Sequence, residues 1–442
     1  MNSLLLLTAI SAVLFLFVMK QTKCELFSCS ALTLSTFSVS CILLYILSIV
    51  WDIYISEKTF TILLSGVITL TVADLLCYKK YRKGLIVNRQ TYNTYFTIRY
   101  SNFFIISYIL ATVLYGWEIK QLGNSIGYND LSAIGEVKAS MEELNDNMNP
   151  FIKQMYKVVT ASSYIHALIF ANNYLLAKST FKKEFKHLIP FLCTIVITLF
   201  SGGRLNIFKS MVGLIFIYYM ILREKGQWQE KYLHKIIRIG IPLLVGFTLL
   251  FSAVGTIVKA NAASRGEIET FEYLSYYAGS PIQAFNIKVE DGRKRWSYER
   301  FGNYTFSGLY KIVSADRDQK AENIGNGMVY LGGNSDKAGN AMTIFGGLYF
   351  DFGLIGMCLA IFIIYYFMGQ YYYRNILNTY SSYKRNKKLI IYTYCYVSII
   401  VMAFYDNCFY ILLSTTGILT LCVLLLMYWV YFRKLVIIKR IE

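Results

Sequence analysis

Residues 239–258 read IGIPLLVGFTLLFSAVGTIV, and at Lys259 the chain changes character. From there to Asn340 it is rich in Tyr, Gly, Asn, Arg and Lys and holds no cysteine; residues 342–368, MTIFGGLYFDFGLIGMCLAIFIIYYFM, are apolar again. Each apolar run is long enough to cross a hydrocarbon core of about 30 Å as a helix. A polar insert between two membrane helices needs a reason. A pure transport bundle rarely has one, whereas an enzyme acting on a lipid-linked substrate must hold a polar headgroup beside the helices that hold its tail.

Outward from this point, runs of the same kind recur along the whole chain: 2–19, 27–50, 59–77, 101–117, 151–176, 188–201, 206–222, 389–405 and 409–432. With the first two, they give about eleven spans. A composition of 56% hydrophobic and 17% aromatic residues with four prolines is far from that of a water-soluble domain. The expected fold is an all-α polytopic membrane protein. It forms a single domain over 1–442 with one extracytoplasmic insert, 259–340, carrying short helices over an outer cavity. The first run has neither a basic start nor a small-residue cleavage site and is read as a helix. Nine cysteines, scattered mostly within apolar runs and without a Cys-x-x-Cys pair, indicate neither a disulfide framework nor a zinc site.

A net charge of +18 suggests nucleic acid in a soluble protein, but in a membrane chain it points to the positive-inside bias. The basic clusters fall on every second loop. They are Lys79, Lys80, Arg82 and Lys83; Lys178, Lys182, Lys183 and Lys186; Arg223, Lys225, Lys231, Lys235 and Arg238; Arg374, Lys384, Arg385, Lys387 and Lys388; and Arg433, Lys434, Lys439 and Arg440. This arrangement puts the N-terminus outside, the C-terminus inside and the insert outside the cytoplasm. The cations of the insert itself run against the bias. Either they meet an anionic ligand, or they belong to a mixed surface balanced by Glu267, Glu269, Glu272, Glu290 and Asp291.

Several groups are candidates for chemistry. Ser201-Gly202-Gly203-Arg204 places an arginine at a helix entrance, where free N–H groups, the dipole and a guanidinium all suit phosphate oxygens. An interfacial arginine reaching for lipid headgroups is the alternative. In the insert, Arg265 precedes a segment from Glu272 through Tyr276, Tyr277, Gly279, Ser280 and Pro281 to Asn286. Its Phe271, Leu274, Tyr277 and Ala278 share a helical face, which predicts an amphipathic interfacial helix ending at Gly279. Arg293, Lys294 and Arg295, beside Trp296 and Tyr298, form a cationic and aromatic mixture that suits a phosphate-bearing glycan or a basic turn at the lipid surface.

Asp351 stands about 13 Å inside the ninth span at 1.5 Å per residue, where an ionisable group is costly and is read as functional. It is expected to act as a general base toward an acceptor hydroxyl or as an orienting partner to Arg204 or Arg265, against a helix-to-helix packing hydrogen bond as the alternative. Asp406 and Asn407 lie in the next outer turn and are expected to line the same cavity, with ordinary turn residues as the alternative. His166 reads as a buried hydrogen-bonding residue, and His187 and His234 as members of basic loops. No His-Glu-x-x-His, P-loop, Rossmann fingerprint or Asp-x-Asp pair is present, so metal-dependent sugar-nucleotide chemistry is disfavoured and no metal or cofactor is expected.

With these residues in hand, the chain resembles the Wzy-type O-antigen (oligosaccharide repeat unit) polymerases over its whole length. The marks are the span pattern, Gly202-Gly203-Arg204 before a helix and the large loop between the eighth and ninth spans. More particular are Tyr276-Tyr277-Ala278-Gly279-Ser280-Pro281 with Phe285-Asn286, and Asn340 leading into Phe345-Gly346-Gly347-Leu348-Tyr349-Phe350-Asp351-Phe352-Gly353. The resemblance implies a C-type glycosyltransferase of the bacterial inner membrane. It moves a glycan from undecaprenyl pyrophosphate to the non-reducing end of another lipid-linked repeat unit on the periplasmic face. Arg204 and Arg265 would neutralise the pyrophosphate, Tyr276, Tyr277, Ser280, Asn286, Arg293, Arg295 and Asn340 would shape the sugar site, and Asp351 would be base or orienter. Membrane lipids and a chain-length regulator are the implied partners. The rivals are an O-antigen ligase, disfavoured because the insert holds no histidine, and a lipid-oligosaccharide flippase, disfavoured because no two similar halves are seen.

Overall fold

The computed structural model describes residues 3–82, 94–125, 148–201, 204–225, 270–292, 301–313, 329–332, 338–379 and 382–440. In chain order the elements are α1 (Ser3–Gln21), α2 (Cys29–Trp51), α3 (Glu57–Tyr81), β1 (Thr94–Ile98), α4 (Ser101–Ser125), α5 (Pro150–Leu175), α6 (Ile189–Phe200) and α7 (Arg204–Lys225). They continue with α8 (Thr270–Glu290), α9 (Ser307–Val313), β2 (Val329–Tyr330), β3 (Ala338–Gly339), α10 (Thr343–Gln370), α11 (Tyr383–Tyr392), α12 (Ser398–Met402), α13 (Phe409–Leu412), α14 (Thr415–Val430) and β4 (Val436–Arg440). Among the described residues, seven helices are long and apolar enough to cross a membrane: α1 to α4, α7, α10 and α14. The chain is an all-helical membrane protein with very little sheet.

Other expected spans differ or lie outside the described residues, as 239–258 does. The run 151–176 forms α5 and the run 389–405 is divided between α11 and α12, and neither is among the seven. The run at 188–201 forms only the 12-residue α6, preceded by helical turns over Phe181–Leu188 that carry Lys182, Lys183, Glu184, Lys186 and His187. The run 409–432 divides at Ser414, whose hydroxyl accepts the Gly417 N–H at 3.1 Å and so starts α14 afresh, as a serine N-cap does.

The span containing Asp351 also differs from expectation. With its wide final turns it covers Thr343–Leu377, 35 residues, which at 1.5 Å each is about 52 Å and too long for one bilayer crossing. Gly353, at φ 69 and ψ −176, breaks it two residues after Asp351. Only glycine takes that backbone conformation without strain. Asp351 therefore belongs to a short separate segment, not to a continuous span.

The described residues group into two compact units. The first comprises Met1–Val87, Ile268–Thr379 and Cys395–Ile418. Here α3 packs along α10, α1 against α2, and α8 along α2. Ser28 and Ser56 cap α2 and α3 through their hydroxyls, and buried Asp74 of α3 accepts the Ser30 N–H at 3.0 Å at the start of α2. The predicted interfacial helix ending at Gly279 is instead α8, which runs on through Pro281 to Glu290. Its fit to α2 explains the difference. A Cβ on Gly279 would lie 2.9 Å from the Leu44 Cα, and the Ser40 hydroxyl donates to the Ala278 carbonyl at 2.5 Å. Gly279 is thus a helix-packing position, not a stop.

The second unit comprises Asn88–Glu267, Tyr380–Tyr394 and Leu419–Glu442. Here α5 packs against α6, α7 and α4. Strands β1 and β4 pair antiparallel with Thr94 opposite Arg440 and Ile98 opposite Val436. The other edge of β1 is closed by α5. The Asn173 amide accepts the Phe96 N–H and donates to the Phe96 carbonyl, both at 2.8 Å, satisfying a strand edge that would otherwise stand open.

Candidate functional site

The site is built at the start of α10, in the first unit. The first four N–H groups of a helix lack partners within it, and here two of them are satisfied: Thr343 N–H donates to the Tyr405 carbonyl and Ile344 N–H to the Ala403 carbonyl, both at 2.9 Å. This lays the turn at 403–407 beside α10. Gly346 and Gly347 then leave room: a Cβ on Gly347 would stand 2.9 Å from Asn407 Cβ and 3.0 Å from the Tyr304 ring, and one on Gly346 2.8 Å from Phe285. Asp351 lies four residues beyond Gly347, on the same helical face, and so meets the same neighbour.

That neighbour is the turn 301–306 of the polar insert. Asp351 Oδ1 accepts the Tyr304 N–H at 3.0 Å, and its Oδ2 accepts the Thr305 N–H at 2.8 Å and the Thr305 hydroxyl at 2.6 Å. The Tyr304 hydroxyl donates to the Asp406 carboxylate at 2.7 Å from either oxygen. Asn407 closes the circuit, donating its side-chain N–H to Thr305 Oγ1 at 2.8 Å and its backbone N–H to Asp406 Oδ1 at 2.7 Å. All five residues are buried. Burial first, and then the Asp406 carboxylate, hold the Tyr304 phenol well above its usual range, so it stays a proton donor.

A carboxylate offers about four acceptor positions, and Asp351 has three filled by donors of the insert. These bonds fix the backbone of the insert; of the arginines that Asp351 was expected to orient, Arg204 belongs to the second unit and Arg265 lies outside the described residues. Asp406 and Asn407, expected to line the same cavity as Asp351, are linked to it through Tyr304 and Thr305 in a buried network. Tyr304 and Thr305, which link them, carry no sequence signal of their own; only the change to Gly302 at φ 61, just before them, marks a turn.

The other predicted residues stand as follows. Tyr276 donates to the Ala338 carbonyl at 2.5 Å and packs on Trp51 and Tyr277. Asn286 is engaged on both sides of its amide: Oδ1 accepts the Ser56 N–H and hydroxyl at 2.9 and 3.1 Å, and Nδ2 donates to the Tyr54 carbonyl at 3.0 Å. Ser280 is buried beside Gly339. Asn340 is exposed, and its carbonyl accepts from the fully buried Lys288 at 3.3 Å. Glu272, expected as a balancing surface acid, accepts the Trp51 indole N–H at 3.1 Å. Arg204 is the first residue of α7, in the second unit. Arg265, Arg293 and Arg295 lie outside the described residues, as do Gly202, Gly203 and His234. Among the described residues, no group of three or more His, Cys, Asp or Glu side chains is placed to hold a metal.

The second unit holds a polar chain of its own. His166 Nδ1 faces His187 Nδ1 at 3.1 Å, His166 Nε2 faces the Tyr431 hydroxyl at 3.1 Å, and Tyr431 and Tyr108 share a hydroxyl pair at 2.6 Å. Beyond His187, Glu184 accepts from Tyr95, Asn173 and Ser179 at 2.8, 2.9 and 2.7 Å. His187, expected in a basic loop, is buried, and burial holds its imidazole down at about 4 despite Glu184 3.7 Å away. Burial acts to raise Glu184 as well. Its donors Asn173, Ser179 and Tyr95 outweigh this and leave it below the usual carboxylate value.

No family model, curated protein or solved structure matches this chain.

Proposed function

We propose that this chain is a polymerase of lipid-linked oligosaccharide repeat units in a bacterial inner membrane, with about eleven spans and a C-type glycosyltransferase plan. It transfers a glycan from undecaprenyl pyrophosphate to the non-reducing end of another repeat unit on the periplasmic face. The observation that carries this reading is the clamp on the polar insert: Asp351 and the 406–407 turn bind Tyr304 and Thr305. A polar segment fixed to the ends of apolar helices is what recognition of a sugar headgroup at a bilayer surface requires, because a preorganised surface loses less entropy on binding.

The chemistry asks little of the protein. Pyrophosphate is already a good leaving group, and fixed cations can neutralise the charge that develops on it. Arg204 and Arg265 are the residues assigned to that task. Tyr276, Tyr277, Ser280, Asn286, Arg293, Arg295 and Asn340 are assigned to shaping the sugar-binding surface. Asp351 acts as a positioning residue.

The test is extension of purified lipid-linked repeat units by the purified protein, with and without a chelator. Ladder formation supports the reading, and its absence with correctly folded protein removes it. In a deletion strain, surface glycans one repeat long indicate a missing polymerase. Complete loss of attached glycan indicates a ligase instead, and carrier accumulating on the cytoplasmic side a flippase. Arg204→Ala at normal expression should give glycans one repeat long; wild-type lengths would take Arg204 out of the site.

A further inference from the structure

The helical turns Phe181–Leu188 between α5 and α6 sort their side chains by chemistry. Glu184 and His187, three residues apart, turn inward and are buried. Glu184 is the acid of this stretch, and its charge is consumed by Tyr95, Asn173 and Ser179. Lys182 and Lys183 are exposed and Lys186 half-buried, so the outward electrostatics of the turn are wholly cationic. Phe181 and Phe185, four residues apart, stand 51% and 43% exposed on one face.

These aromatic rings are fixed. Phe181 packs on Phe170 at 6.0 Å, Tyr174 at 6.3 Å and Phe185 at 5.7 Å. Lys183 is fixed as well, its ammonium lying 4.8 Å from the centre of the Tyr95 ring. The result is a rigid ledge of two exposed aromatic rings bordered by three cations.

We propose that this ledge binds an anionic phospholipid, with its phosphate on Lys182, Lys183 and Lys186 and its acyl chains over Phe181 and Phe185. Charge complementarity selects the anion, because the turn presents no outward acid to balance its lysines. The two phenyl faces select a lipid over free phosphate, which would leave them in water. Each lysine near an anionic membrane surface contributes about a fivefold gain in binding.

The experiment is native mass spectrometry of the purified full chain, released from mixed phosphatidylglycerol and phosphatidylcholine. The wild type is expected to retain phosphatidylglycerol preferentially. Lys182→Gln with Lys186→Gln, which leaves the Lys183–Tyr95 stack intact, should lower that retention by more than about tenfold while phosphatidylcholine retention and Tm in neutral detergent stay unchanged. Phe181→Ser with Phe185→Ser should shorten residence without changing headgroup preference. Equal retention of both lipids by the wild type, or undiminished phosphatidylglycerol on the lysine variant, overturns the proposal. So does stabilisation by inorganic phosphate alone equal to that by the lipid. Should the double lysine variant fail to fold, Lys186→Gln alone, expected to lose about fivefold, decides the matter.

Discussion

Asp351 and Asp406 hold the same dipeptide by different atoms. Asp351 takes the backbone N–H groups of Tyr304 and Thr305, and Asp406 takes the Tyr304 hydroxyl. One carboxylate sets where the insert's chain runs; the other sets where its side chain points. Buried carboxylates bound this way are costly to disturb, because removing one partner leaves a charge or a donor unsatisfied.

Asp351→Asn therefore breaks the clamp in a defined manner. An amide has one acceptor oxygen, while the carboxylate accepts N–H donors at both oxygens. Either orientation sets an NH₂ against a backbone N–H. The expected loss is about 1–3 kcal/mol, read as a lower Tm in detergent, with membrane insertion intact and surface glycans shortened. Thr305→Val keeps both backbone bonds but removes the hydroxyl between Asp351 and Asn407, and should cost about 1–3 kcal/mol. A fully active Asp351→Asn protein would reduce Asp351 to helix packing.

The Tyr304 and Asp406 pair is best examined as a double-mutant cycle. Tyr304→Phe deprives a buried carboxylate of its hydroxyl donor, at an expected cost of about 1.5–3 kcal/mol. Asp406→Asn in the same background should recover part of that, because an amide tolerates the loss better than a charge does. Additive effects would mean the two side chains do not act on one another.

Gly279→Ala tests the packing of α8 on α2. The new Cβ would lie 2.9 Å from Leu44 Cα and 3.0 Å from Leu44 N, atoms of a helix backbone that cannot turn aside. Overpacking of this kind costs about 1–3 kcal/mol. The same substitution at Gly292, where nothing stands within 4 Å but φ is +63, should cost less, about 1 kcal/mol, through backbone strain alone. Thermal unfolding of the two variants side by side gives the comparison.

The buried His187 gives the second unit a pH dependence whose sign follows from its environment. Its value falls from 6.5 in the unfolded chain to about 4 in the folded protein. The unfolded state therefore binds the proton more readily between these values. Stability should be complete above pH 6.5 and decline as pH falls toward 4, by up to about 3 kcal/mol. His187→Gln should flatten that decline in a Tm-against-pH series; an unchanged slope would assign it to other groups.

Apolar runs announced their helices because membrane burial forces backbone hydrogen bonds into that form. Asp351 stood out for a related reason, as an ionisable group among apolar neighbours. Its partners did not, since Tyr304 and Thr305 are ordinary residues in a polar turn and acquire meaning only when α10 and the 406–407 turn converge on them. Asn286 was legible as a polar residue on a helix, but that it ties α8 to Ser56 and Tyr54 depends on which helix lies alongside. Gly279 reads as a stop in isolation and as a contact once α2 is present. His187 was misplaced because a run of lysines masks one side chain turned the other way.

The pairing of Thr94 with Arg440 bears on how the chain is made. Strand β1 leaves the ribosome long before β4, and the first unit likewise waits for Cys395–Ile418 before its parts are together. Early helices therefore rest in lipid until β4 and Cys395–Ile418 have been made. Deletion of Val436–Arg440, though remote in sequence from Thr94, should leave the newly made protein exposed to membrane proteases.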